Sequence, residues 1–361
     1  MRELYIGVMS GTSLDGVDVV LCKINKTTCE LICSAEYPFD KDLKEDILTL
    51  INSKTTLKSI GEIDIRLGNL YSECLCAFIR HNEIDTETIK AIGLHGQTLW
   101  HEPNGEFPFS MQLGNANTLT ENTGVSVISD FRQKDIALGG QGAPLTPAFH
   151  KEVFSHIQKN VAVLNIGGMA NISILGEKLL GYDTGTGNVL LDLWISKKLN
   201  LSYDKDGSFG DSGHANDELL QKMLKEEYFS KPAPKSCGRE LFNEAWLTTK
   251  LQNFSHLSDA DVQATLLELS VESIVNEVLK TDTELLLVCG GGAKNSALMR
   301  RLKTRLKDIE VKTTDDKGVS ADYMEAMAFA WLAYKRVHKE KVDIKSVTGA
   351  RENSILGCIY E

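Results

Sequence analysis

Apolar and polar positions along the chain alternate in short runs that end on glycine-rich turns. Residues 4–8 run into Ser10-Gly11-Thr12-Ser13, and the apolar run 17–22 follows at once. A strand, a polar turn and a second strand predict a β-hairpin. The pattern returns half a chain later: residues 161–166, then Gly167-Gly168-Met169, then 170–175. This is a repeat of architecture rather than of sequence, and each hairpin is expected to open one lobe. Between and after them the period changes. Residues 57–81 place Leu57, Ile60, Leu67, Leu70 and Leu75 on one apolar face, and 261–280 do the same with Val262, Leu266, Leu269, Ile274 and Val278. Both predict helices, as do 293–307 and 321–338. Residues 125–129 and 285–288 read as further strands. Strands alternating with helices imply an α/β fold.

Length sharpens this picture. A chain of 361 residues exceeds one comfortable core, so two domains are expected. With only seven prolines and no low-complexity linker, the lobes must be joined by ordered crossings. The expected boundary lies near residue 129, giving a first lobe of 1–129, to which the tail 345–361 returns, and a second lobe of 130–344. The net charge of −11 disfavours a nucleic-acid partner. The N-terminus lacks a signal-peptide core and no stretch of 18 apolar residues occurs, so a cytoplasmic protein without a membrane partner is expected. Eight cysteines include no C-x-x-C pair and read as reduced, buried thiols.

Candidate chemistry sits on the turns. The stretch Gly11-Thr12-Ser13-Leu14-Asp15-Gly16-Val17-Asp18 offers backbone N–H groups and hydroxyls to an anion. Asp15 and Asp18 would repel bare phosphate but suit a Mg²⁺ between them and a nucleotide. Ordinary hairpin-turn chemistry explains the same residues, and spacing leaves both readings open. Asn165-Ile166-Gly167-Gly168 offers a similar approach. Gly290-Gly291-Gly292, followed by Asn295, leaves a buried strand and opens a helix, where anions bind. No G-x-x-x-x-G-K-[ST] is present, which excludes a P-loop enzyme, and no G-x-G-x-x-G supports a nicotinamide enzyme. Asp183, in Gly181-Tyr182-Asp183-Thr184-Gly185, is either a helix cap or a general base. His95 and His101 are six apart and do not share a helix face. Arg132 is a candidate clamp for a substrate carboxylate, or the partner of Asp130 in a surface ion pair.

Read together, GVMSGTSLDGVD, LHGQTLWHEP, QLGNANTLTENTG, DFRQKDIALGGQGAPLTPAFH, LNIGGMANIS, GYDTGTGN, KSCGRE, CGGGAKN, EAMAFA and VTGAR resemble the anhydro-N-acetylmuramic acid kinase family over nearly the whole chain. Two positions depart from the family pattern. Thr186 stands where proline is expected, and Cys237 where threonine is expected. The resemblance implies two actin-like, ribonuclease H-like lobes with a nucleotide cleft between them. It implies ATP and Mg²⁺ as cofactors, with residues 11–18, the 165–168 turn and Gly290–Asn295 facing the nucleotide. Asp183 is implied as the catalytic base and Glu325 as an active-site acid. His95, Gln112, Arg132 and Gln141 are expected to face the sugar, with Arg132 on its lactyl carboxylate. The implied reaction opens the 1,6-anhydro ring and phosphorylates O6. A homodimer is the expected assembly. Two rival readings remain at this point: another sugar or carboxylate kinase of the same superfamily, and a non-enzymatic nucleotide-switched protein like actin.

Overall fold

The computed structural model describes residues 2–11, 14, 16–52 and 55–361. The chain divides into two compact units, Met1–Val153 with Tyr323–Glu361, and Phe154–Asp322. In chain order the strands are β1 (Glu3–Ser10), β2 (Gly16–Ile24), β3 (Cys29–Pro38), β4 (Ile89–Leu94), β5 (Gln97–Glu102), β6 (Phe109–Leu113), β7 (Val127–Ser129), β8 (Val161–Ile166), β9 (Met169–Leu175), β10 (Leu179–Thr186), β11 (Leu285–Cys289), β12 (Glu310–Thr313) and β13 (Cys358–Tyr360).

The first unit is built on a six-stranded sheet ordered β3-β2-β1-β4-β7-β13. Its first three strands are an antiparallel meander, β4 runs parallel to β1, and β7 runs parallel to β4. The second unit has the order β10-β9-β8-β11-β12, again an antiparallel meander followed by two parallel strands. Apart from the edge strand β13, antiparallel to β7, the two sheets thus share one strand order and one set of senses, the ribonuclease H-like wiring that the family resemblance implies. The inner strand β11, Leu285-Leu286-Leu287-Val288-Cys289, is buried throughout, as a strand covered on both faces must be.

The predicted helix over 57–81 forms as Leu57–His81, with Thr56 capping it by accepting from the Ser59 N–H. Its buried stripe is Ile63, Leu67, Tyr71, Cys74, Leu75 and Phe78, whereas Leu57 is 90% exposed at the open first turn. The second unit is centred on the helix Asp259–Val278, capped by Ser258 and buried on most of its surface. The expected helix at 293 begins later: a 3-10 turn, Gly291–Lys294, precedes the helix Ser296–Arg305, whose cap is Asn295.

The boundary expected near 129 moves to Val153. Residues beyond β7 are bonded back into the first unit: Gln133 donates to the Ser110 carbonyl, and Lys151 pairs with Asp343 at 2.9 Å. The returning C-terminal part starts at Tyr323 rather than near 345, because the helix Met324–Val337 packs on the first sheet. Glycines decide how closely it packs. Gly7 of β1 and Gly93 of β4 are register partners. A Cβ on Gly7 would overlap the Ala326 carbonyl, and one on Gly93 the Phe329 carbonyl. The helix answers with Ala326, Ala330 and Ala333, so backbone lies on backbone. Tyr5 meets Tyr334 edge-on at 5.7 Å beside this contact.

Gly93→Ala is therefore expected to destabilise the first unit by about 3 kcal/mol, since neither neighbour is a flexible side-chain end. Gly61→Ala, on the exposed face of the helix Leu57–His81 with open space around it, should stabilise by about 0.5–1 kcal/mol. Thermal unfolding of the two variants checks the contrast. Equal behaviour would contradict the close approach.

Candidate functional site

In the first unit, β4 delivers His95 into a buried corner. Its backbone N–H donates to the Val8 carbonyl, and its ring stacks at 4.7 Å on Phe329 of the returning helix. Arg132 Nη2 lies 2.8 Å from His95 Nε2. A guanidinium only donates, so Nε2 accepts and Nδ1 carries the proton. Burial, then the Arg132 charge, push the His95 pKa down to about 3, so the ring is neutral. Arg132 Nη1 donates to the Gly142 carbonyl at 2.7 Å. Arg132 is thus bonded to His95 and Gly142 rather than to Asp130. Burial lowers its pKa to about 10, partly offset by the charges of Glu325 and Asp135. Glu325, near the start of the helix Met324–Val337, is raised by burial and held back by Arg132. Among the described residues, His95 Nδ1, Arg132 Nε and Gln97 Oε1 are buried without a hydrogen-bond partner. Two of these orphaned atoms, His95 Nδ1 and Arg132 Nε, belong to the bonded pair in this corner and mark a place where a polar ligand has something to gain.

The other sugar-facing candidates surround that corner. Gln112, on β6, donates to Ser110 Oγ at 2.7 Å and Thr98 Oγ1 at 3.2 Å. His101 Nδ1 is 3.0 Å from the same Ser110 hydroxyl. Gln141 is exposed and donates to Asn104 Oδ1 at 3.3 Å. Sequence reasoning passed over Asp135, although it stands within the quoted DFRQKD motif. Asp135 is fully buried; its carboxylate accepts the Gly142 N–H and the Thr348 hydroxyl, both at 2.6 Å. It ties the GGQG loop to VTGAR and so fixes the Gly142 carbonyl that receives Arg132.

The β1–β2 turn is described only in part. Thr12, Ser13 and Asp15, predicted to face nucleotide, lie outside the described residues. Leu14 accepts a positive φ of 55° and is buried in the first core with Val17. Those two side chains are packing groups rather than ligand contacts. Gly11 accepts from the Leu14 N–H at 3.2 Å, closing the turn, and Gly16 begins β2. Asp18 is half-buried on β2, opposite Met9. Ser10 is fixed by a 2.6 Å bond to the buried Tyr71 hydroxyl, a partner that no local motif signals.

In the second unit, Asp183 lies in β10 at a bulge between Asp183 and Gly185. It does not cap the following helix, Val189–Leu199, whose cap position is Asn188. Its backbone N–H donates to the Lys235 carbonyl, its carbonyl accepts from the Tyr228 hydroxyl at 2.7 Å, and its Oδ2 accepts from the Cys237 N–H at 3.0 Å. Burial pushes its pKa up to about 6, against the Cys237 bond and with help from the Glu240 charge. The departure at Cys237 leaves this contact intact, because any residue supplies a backbone N–H. The Cys237 thiol stays protonated, raised by burial to about 12. Thr186 is buried, 3.3 Å from Ser270 Oγ.

Asn165, Gly167, Gly168, Gly290, Gly291 and Gly292 come together where β8 and β11 end side by side. Gly290 has φ +77° and backs onto Asn165 and Ile166, while Gly292 lies flat on the Ile166 side chain. Around Gly167, Gly168 and Gly291 no protein atom comes closer than 3.7 Å to a built Cβ, so this backbone surface is open. Asn295 is committed as a helix cap, accepting from the Leu298 N–H at 3.0 Å. A cavity of about 600 Å³, lined by Ile195, Leu199, Tyr203, Lys205 and Phe209, contains none of these residues.

The family model described as anhydro-N-acetylmuramic acid kinase matches residues 3–361. A protein of that name from Sulfurimonas denitrificans is 61% identical over 368 residues, covering 100% of both chains. One from Sulfurovum sp. is 56% identical over 360 residues, covering 99% of each. One from Pasteurella multocida is 51% identical, covering 99% of this chain and 96% of the relative.

Asp135→Asn puts an amide donor against a backbone N–H or a hydroxyl. A loss of about 1–3 kcal/mol is expected, together with faster proteolysis within residues 139–144. Urea unfolding and limited proteolysis measure both, and an unchanged midpoint would remove Asp135 from its role as the loop anchor.

Proposed function

The chain belongs to the anhydro-N-acetylmuramic acid kinase family, and from that membership we infer the reaction it performs. It is an ATP-dependent kinase that hydrolytically opens the 1,6-anhydro ring of anhydro-N-acetylmuramic acid and phosphorylates O6. The products are N-acetylmuramic acid 6-phosphate and ADP, within peptidoglycan recycling and amino-sugar catabolism. Because it consumes ATP, the cytoplasm is the proposed compartment. No helix among the described residues is long and apolar enough to cross a membrane. A homodimer is proposed as the assembly, which light scattering tests.

The observation that carries the mechanism is the Asp183 carboxylate: desolvated, ionising near neutrality and oriented by one backbone N–H. In the substrate O6 is tied to the anomeric carbon, so no free hydroxyl exists to phosphorylate. Asp183 takes a proton from water as the water oxygen bonds to the anomeric carbon. The C1–O6 bond breaks, O6 bonds to the γ-phosphorus, and the bond from that phosphorus to the β-phosphate oxygen breaks to release ADP. Asp183 then returns its proton to solvent. This is one half of an inverting glycosidase, with the phosphoryl group taking the place of the general acid. Glu325 is the further active-site acid. The His95–Arg132 pair is proposed to receive the lactyl carboxylate: Arg132 already spends one donor on each terminal nitrogen, but its charge and remaining N–H groups are available.

We assign the turns at Gly167, Gly168 and Gly290–Gly292, with open backbone at Gly167, Gly168 and Gly291, to the nucleotide, and the β1–β2 turn to its phosphates. Among the described residues no group of three His, Cys, Asp or Glu side chains could hold a metal. That fits Mg²⁺, which takes one or two carboxylates and otherwise phosphate and water. Asp18, with Asp15 from outside the described residues, would hold it, and when bound it would neutralise charge on the transferring phosphoryl.

Asp183→Asn should lower kcat by about 10² to 10⁴ and leave ATP affinity unchanged. In ¹⁸O-water the parent enzyme should place heavy oxygen at the anomeric carbon and none in the phosphate bridge. Wild-type turnover in the variant, or unlabelled sugar, would exclude this role. The kcat of the parent should fall as pH drops through about 6, as the base takes up its proton. The folded chain binds that proton more tightly than the unfolded chain does. Ionising Asp183 therefore opposes folding above pH 6, and the Asn variant should melt no lower than the parent at pH 8.

A further inference from the structure

Behind Asp183 lies a buried ion pair that the reaction itself does not use. Lys235 Nζ is 2.8 Å from Glu277 Oε1, and both side chains are only 4% exposed. The ammonium also reaches the Tyr228 carbonyl at 3.4 Å and the Phe229 carbonyl at 3.3 Å, and sits 5.0 Å from the centre of the Tyr228 ring. Glu277, on the helix Asp259–Val278, receives the Tyr182 hydroxyl at 3.3 Å and Lys280 at 3.0 Å. Burial alone would raise its pKa, but Lys235 and Lys280 bring it below the ordinary carboxylate value, so Glu277 is ionised.

A buried pair of this kind adds little net stability over well-packed apolar side chains. Its placement is more informative. The same Lys235 whose head is locked by Glu277 receives the Asp183 N–H on its carbonyl. Two residues on, Cys237 donates the bond to Asp183 Oδ2. The Tyr228 that lies against the ammonium donates to the Asp183 carbonyl. The three groups that bond Asp183 from outside its own sheet, the Lys235 carbonyl, the Cys237 N–H and the Tyr228 hydroxyl, thus lie within two residues of, or in contact with, the Lys235 head group.

We propose that Lys235 and Glu277 are positioning residues for Asp183. Their ion pair locks the 235–237 segment along the edge of β10 and so holds the acid in its working orientation. The proposal rests on the reading of Asp183 as base. The titratable and charged groups facing Asp183 are Cys237 and Glu240 on the segment and its continuation, and Tyr228 beneath; Lys235, Glu277 and Tyr182 stand behind them.

Glu277→Gln keeps the size and removes the charge. The buried ammonium then lacks its anchor, the segment loosens, and the Cys237 N–H bond that favours the Asp183 carboxylate weakens. Asp183 should titrate about one unit higher, read by carboxyl ¹³C NMR as the signal missing from Asp183→Asn. The plateau kcat should fall on the order of tenfold to a hundredfold, with its acid limb moved up and KM for ATP unchanged. Lys235→Arg, which keeps the charge, should retain more of the parent's kcat than Glu277→Gln. A folded Glu277→Gln protein with parental Asp183 titration and parental kcat overturns the proposal. If that variant fails to fold, the apolar pair Lys235→Met/Glu277→Leu is measured identically, and parental values there overturn it equally. A shifted titration with parental kcat would instead uphold the positioning and refute Asp183 as the base.

Discussion

Backbone-on-backbone packing at two glycines organises the first unit. Gly7 and Gly93 sit side by side in adjacent parallel strands, and the helix Met324–Val337 rests directly on them. Hydrophobic burial supplies the attraction, but the missing Cβ atoms set the distance. From that seat the rest follows. Phe329 reaches His95 and Phe131, Trp331 reaches Phe149, and Glu325 comes within electrostatic range of Arg132. A residue more than 190 positions from Arg132 in sequence becomes its neighbour because two side chains were left out.

The second unit solves a different problem with the same wiring. Its sheet must hold a carboxylate in a desolvated place without letting it find a cation that would lower its pKa. Asp183 pairs with Asn171 immediately before the bulge in β10, and the 235–237 segment supplies a single N–H to its side chain. Lys235, whose carbonyl meets the Asp183 N–H, spends its ammonium on Glu277. In the proposed role of Asp183, tuning is largely the management of which charges are allowed near one oxygen.

Much of this was legible in the chain. Both hairpins, the helix Leu57–His81 and the buried strand before Cys289 announced themselves by period and by glycine punctuation. What stayed hidden depended on contacts distant in sequence. The boundary near 129 was misplaced because nothing local says that Gln133 will bond to Ser110 or Lys151 to Asp343. Leu14 and Val17, inside a polar turn motif, proved to be core residues packed among the buried side chains of the first unit. Asp135 and Gln97 sat within quoted motifs yet drew no attention, since a buried carboxylate holding a loop and an amide with an orphaned oxygen look like ordinary polar residues in a string. Asp183 read as a cap or a base, and its place within β10 excludes the cap.

The discontinuity of the first unit bears on how the protein is made. The second unit occupies one uninterrupted stretch, Phe154–Asp322, and can complete its sheet during synthesis. The first cannot: the tyrosine, alanine and glycine face of β1 and β4 waits for a helix that ends at Val337. At ribosomal speeds of about 5–20 residues per second, that apolar face stays uncovered on the order of ten seconds or longer after β4 emerges. Through that interval the nascent chain presents a sticky, half-built sheet, and a folding helper that shields the N-terminal third would act on this face before any other.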